Sequence, residues 1–247
     1  MKGIVIDKDG TLFDYGYVWG EIISRQVKKG VETFNLKKED FDALTAKLER
    51  IFGVDRYGSK YSDGILFRHD LFPLNFMKIL FSCFRYRINP FKMYSVIMEM
   101  VRHVSDNIVE DIKDKEFPEI RNIFLALKAH GYKTAIVTND YLKTTMAFLE
   151  KMDIADLVDT IECADTGSKK KPNPEAIRKF ARKYSIDEKD IVCIGDTISD
   201  MKFSHNAGCG YTVAVLTGSG DEKNLKKHAD VVYSRIEDIM NDKVIFS

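Results

Sequence analysis

Excess charge of either sign is missing from this 247-residue chain, in which Lys plus Arg and Asp plus Glu number 38 each. A balanced chain has no net field to draw it to nucleic acid or an anionic membrane, so neither partner is expected. Cysteine is scarce: Cys83, Cys163, Cys193 and Cys209 form no CxxC pair and no Cys/His zinc spacing. Cys163 and Cys193 lie in apolar runs, where reduced thiols pack as small hydrophobes. No stretch approaches the length of uncharged apolar chain that a membrane helix needs, about 18 residues. Lys8 and Asp9 interrupt the amino-terminal apolar run too early for a signal-peptide core, and a cytoplasmic location is expected. Internal repeats are absent. Strand signals are absent too, but only between residue 15 and about 115.

Outside that gap, apolar strands and helical patterns alternate. IVI (4–6), YKTAIVTN (132–139), DIVCIGD (190–196) and YTVAVLTG (211–218) read as strands, with weaker ones near LVDTIECA and ADVVYS. Helical patterns fall at 119–131, in TMAFLEKM, in PEAIRKFARKYS and at about 198–207, with a short terminal helix. Near-continuous apolar strands alternating with helices predict an α/β, Rossmann-like parallel sheet with helices on both faces. The strandless block predicts an all-helical insertion after the first strand. The expected division is therefore 1–14 with 116–247 as the core and 15–115 as the insertion, with Pro118 near the return. The aromatic-rich segment LFRHDLFPLNFMKILFSCFRYRINPFKMY is expected to pack within the insertion, with an exposed dimer or substrate surface as the alternative, and Arg68, Arg85 and Arg87 are expected as surface charge.

The polar residues that end the apolar runs carry the chemistry. Asp7 and Asp9 follow the first strand, Thr138 and Asn139 the second. Lys171 lies just past a weak strand, and Asp196 and Asp200 follow DIVCIG. In an open parallel sheet such groups converge on one crevice. Carboxylates crowded there repel one another unless a cation sits among them, and a hard divalent ion such as Mg²⁺ suits oxygen ligands beside a phosphate. Adding an ammonium and a hydroxyl suggests phosphoryl transfer to a carboxylate nucleophile.

DKDGTLFD, IVTND, KKKPNP and IGDTISD, in that order, resemble the four motifs of the haloacid dehalogenase superfamily. The insertion and the later NAGCGYTVAVLTGSG resemble its phosphoglycolate phosphatase-like branch, in which the insertion is a cap domain. The resemblance implies that Asp7 attacks phosphorus, that Asp9 acts as acid and then base, and that Thr138, the Asn139 amide and Lys171 bind phosphate. It also implies Mg²⁺ held by the Asp7 carboxylate, the Asp9 carbonyl and Asp196. Asp200 either caps a helix or orients metal-bound water, and both readings stand, because Thr197-x-x-Asp200 has the spacing of a capping box. The implied activity is a Mg²⁺-dependent phosphatase of a small phosphorylated metabolite. A phosphomutase resembling β-phosphoglucomutase and a non-catalytic phosphate-binding module remain alternatives. The chain is expected to be a monomer or homodimer. Lys8 stands where many relatives carry an apolar residue, and strand alternation predicts that it points away from Asp7 and Asp9.

Overall fold

The computed structural model describes residues 1–60, 64–65, 72–115, 117 and 120–246, with only the backbone given for Phe72 and Ser105. Arg68 and Pro118, both singled out above, lie outside the described residues. The chain divides into two compact units, Met1–Asp14 with Ile112–Ser247, and Tyr15–Asp111.

The first unit is built on a parallel sheet of six strands in the order β3-β2-β1-β4-β5-β6. In chain order these are β1 (Gly3–Ile6), β2 (Lys133–Val137), β3 (Thr160–Glu162), β4 (Ile191–Gly195), β5 (Tyr211–Val215) and β6 (Val231–Tyr233). The central strands β1 and β4 are buried at every position, as their unbroken apolar runs require. Val5 joins Ala135, Val137, Ile177, Phe180, Cys193 and Phe203 in one buried cluster. Ile4 and Ile6, one residue out of phase, are also fully buried, so both sheet faces are covered. Among the helices are α5 (Ile120–Ala129), α6 (Leu142–Lys151), α7 (Glu175–Tyr184) and α8 (Ile198–Ala207). The expected terminal helix is a 3-10 turn at Ile236–Asn241, and a one-turn helix at Glu222–Leu225 has no counterpart in the sequence reading.

Strand order reverses at β1, because β2 lies on one side of it and β4 on the other. Such a switch point opens a crevice beyond the strand ends. Register aligns the ends: Ile6 pairs with Ile136 of β2 and Ile194 of β4. Asp7, Thr138 and Asp196 therefore leave the sheet within two residues of a common level.

The second unit holds α1 (Tyr15–Glu32), α2 (Lys38–Phe52), α3 (Phe72–Arg85) and α4 (Pro90–Asp111), the last kinked at Asn107. Among its described residues the only strand-like pairing is the single bridge between Val54 and Lys60. Internal packing of the aromatic-rich segment does not hold throughout. Asn75, Ile79, Ser82 and Cys83 make the buried face of α3, while Leu74, Met77, Phe81 and Phe84 form a second stripe that stays exposed. Phe84 is 84% and Phe91 86% exposed. Both faces of α3 carry apolar residues, so the helical period alone does not say which one packs. Arg85 and Arg87 are exposed, as expected of surface charge.

Candidate active site

Asp7 still belongs to the sheet through its backbone, its N–H donating to the Ile194 carbonyl at 2.9 Å. The chain then turns. Thr11 and Leu12 N–H groups donate to the Lys8 carbonyl, and Gly10 takes φ +80°, a left-handed conformation suited to glycine. The Thr217 hydroxyl secures this turn by donating to the Gly10 carbonyl at 2.8 Å.

Three acids converge beside it. Asp7, Asp196 and Asp200 are all buried, and one carboxylate oxygen from each lies within 4.8 Å of the other two. Lys171 enters from the loop before α7. Its ammonium donates to Asp7 Oδ1 and, at 2.6 Å, to Asp200 Oδ1. Asp196 Oδ2 accepts the Ser219 N–H at 2.9 Å. Asp200 closes a capping box with Thr197 at the start of α8: its Oδ2 accepts the Thr197 N–H at 3.0 Å, and Thr197 Oγ1 accepts the Asp200 N–H at 3.2 Å. The capping reading of Asp200 is therefore correct, and its second oxygen simultaneously reaches Lys171.

The electrostatics follow from burial. Desolvation lifts the Asp7 carboxyl to about 7, with Lys171 opposing and Asp200 adding to the rise. Asp196 is pushed well above the ordinary carboxylate range, first by burial and then by Asp200 and Asp7. Burial pulls the Lys171 ammonium down, but Asp200 and Asp7 outweigh it and leave the group firmly charged. One ammonium against three carboxylates leaves a buried deficit of positive charge. Hard oxygen donors with that deficit fit a divalent cation such as Mg²⁺.

Thr138 and Asn139 follow β2 into the same crevice. Thr138 Oγ1 accepts the Asp140 N–H at 3.1 Å, and Asn139 Oδ1 accepts the Lys171 N–H at 3.1 Å. The Asn139 side chain thus anchors the loop that delivers Lys171, while its amide is the group assigned to phosphate above. Neither residue is the N-cap of α6, which is Tyr141.

Lys8 departs from the expectation. Its side chain is fully buried, with Nζ 3.0 and 2.9 Å from the two Asp9 oxygens and 2.9 Å from Asp140 Oδ2. The strand ends at Ile6, so alternation no longer governs where residue 8 points. Sequence reasoning used the loop after β5 only for its resemblance and gave it no role in the site. Besides the Ser219 amide, a methyl group on Gly218 would fall inside the Asp196 carboxylate, so glycine is required there. The Gly-Ser-Gly run, separated from a buried strand by two residues, was the available signal.

Known proteins share the family and the fold. A sequence model of the haloacid dehalogenase-like hydrolases matches residues 76–215. The phosphoglycolate phosphatase of Aquifex aeolicus is 28% identical over 244 residues, covering 97% of this chain and 95% of that protein. The match to the phosphoglycolate phosphatase of Vibrio cholerae is shorter: the chain spans about half of it, 55% of that protein. Among solved structures, a predicted phosphoglycolate phosphatase from Haemophilus somnus superposes with a TM-score of 0.67 at 18% identity, covering 97% of this chain and 96% of that one. A β-phosphoglucomutase from Clostridium difficile superposes with a TM-score of 0.58 at 17% identity, covering 99% and 95%. At such identities the superpositions speak for the fold alone, and the matched family model, with the parallel sheet and its gathered acids, shows that this chain belongs to the haloacid dehalogenase-like hydrolases.

Proposed function

We propose that this chain is a Mg²⁺-dependent phosphatase that hydrolyses a small phosphorylated metabolite through an aspartyl-phosphate on Asp7. The observation that carries the reading is the Asp7 carboxylate, held by Lys171 in a buried pocket beside Asp196 and Asp200. An Asp7 oxygen attacks phosphorus in line, and the bond from phosphorus to the leaving oxygen breaks. Asp9 gives that oxygen a proton, then takes one from the water that cleaves the acyl phosphate. Lys171, the Thr138 hydroxyl and the Asn139 amide offset charge on the phosphoryl oxygens. The Asp7 carboxylate, the Asp9 carbonyl and Asp196 would hold Mg²⁺, with Asp200 beside them. Bound there, the ion would supply further positive charge to the phosphoryl group.

The near full-length similarity to a phosphoglycolate phosphatase makes phosphoglycolate the first substrate to test. The named groups of the sheet unit recognise phosphate and cation only, so they leave the choice among phosphate esters to be measured. The test is release of inorganic phosphate from phosphoglycolate, sugar phosphates and nucleoside monophosphates, with and without Mg²⁺, against an Asp7→Asn control. Metal-dependent release lost in the control supports the reading. Isomerised sugar phosphate without free phosphate would instead identify a phosphomutase, and silence across the panel a binding module.

A further inference from the structure

A lysine with no exposed surface, set between two carboxylates, is used by no step above. Lys8 Nζ lies 3.0 Å from Asp9 Oδ1 and 2.9 Å from Asp9 Oδ2, so it addresses both oxygens and fixes the plane of that carboxylate as well as its distance. On its other side it donates to Asp140 Oδ2 at 2.9 Å. Asp140 is itself held: Oδ1 accepts the Tyr141 N–H at 2.7 Å, and its own N–H donates to Thr138. The ammonium also stands 4.3 Å from the centre of the Phe148 ring, which stacks on Phe13 at 4.8 Å. A cation over a stacked aromatic pair, hydrogen-bonded on two sides, has little rotameric freedom.

We propose that Lys8 is a positioning residue for Asp9, tying its carboxylate through Asp140 to the loop that carries Thr138 and Asn139. The proposal rests on the acid and base role assigned to Asp9 under the proposed function. Proton transfer demands that the donor oxygen stay within hydrogen-bond reach of the leaving oxygen, and a short aspartate at a turn does not ensure that unaided. Lys8 supplies the constraint through its contacts with both Asp9 oxygens and acts on the substrate only through Asp9. Asp140 is the anchor that stops the ammonium from simply following Asp9.

Leaving-group dependence tests this. p-Nitrophenolate departs with little need of a proton, whereas phenolate needs one. Lys8→Met is expected to lower kcat/KM for phenyl phosphate at least 10-fold more than for p-nitrophenyl phosphate, and Asp140→Asn to shift the ratio in the same direction by less. A merely structural role would depress both substrates equally, and that result overturns the proposal. Should Lys8→Met not fold, the ratio for Asp140→Asn decides. Should the wild type cleave neither ester, the phosphatase reading is decided by the metabolite panel above. The positioning claim is then decided by crystal structures of the wild type and the foldable variant, where an Asp9 carboxylate unmoved by the substitution overturns it and a displaced one supports it.

Discussion

The ammonium of Lys171 stands 2.6 Å from the Asp200 carboxylate and hydrogen-bonds Asp7 as well, so one cation serves two acids that reach it from different strand ends. Both pairs are buried, with side-chain exposures of 10% or less. Removing one member of such a set strands charge that water cannot reach. Lys171→Met is expected to destabilise the metal-free protein by about 3–5 kcal/mol. Turnover should fall by roughly 10²-fold or more. Urea denaturation in EDTA and phosphate-release assays check the two effects separately.

Burial of Asp7 has a sign that pH will reveal. Its folded value of about 7 stands above the ordinary 3.8, so the folded state holds this proton more tightly than the unfolded state does. The resulting stability is fully present below pH 3.8 and is lost as pH rises through about 7. Asp196 is raised in the same sense. In EDTA, this contribution should lower the melting temperature across that window. Added Mg²⁺ should restore more at pH 8 than at pH 5, because protons compete for the same oxygens. Thermal scans at several pH values, with and without metal, measure it; an equal response at both pH values would contradict the assignment.

Gly218→Ala places a methyl group where the Asp196 carboxylate now sits. With β5 intact upstream, the expected consequence is a displaced Asp196 in a folded protein. Mg²⁺ affinity should weaken roughly 10–100-fold, as when the support of a ligand is lost. Titration calorimetry gives the affinity, and circular dichroism checks the fold.

Thr197→Ala removes one half of the capping box at α8. A loss of about 0.5–2 kcal/mol is expected. Asp200 would lose one of the partners that orient it toward Lys171, so turnover should also fall. Denaturant midpoints and kcat, measured together, show whether cap and site are linked as the geometry implies.

Much of this protein is written in local pattern. β1, β2, β4 and β5 are recognisable because inner strands of a parallel sheet are covered on both faces and must be apolar throughout. β3 and β6 are weaker in sequence because each is a short strand at the sheet edge. The Thr197–Asp200 cap is equally readable, since its partners lie within one helical turn. Asp7, Thr138 and Asp196 announce themselves as polar residues that end apolar runs, and the register of the sheet places those ends side by side. The exposed stripe of α3 is not readable, because Leu74, Met77, Phe81 and Phe84 have the same spacing and chemistry as a buried one.

What the amino-acid order settled unaided, then, is the layered sheet, the positions of its acids and the helix that Asp200 caps, all consequences of hydrogen bonding and burial over a few residues. The folded chain alone decided that Lys8 turns inward to Asp9 and Asp140, that Lys171 is shared by Asp7 and Asp200, and that the Ser219 amide supports Asp196. These contacts form where strands have ended. There no backbone period dictates which way a side chain points, and direction is set by the meeting of loops as much as 164 residues apart in sequence.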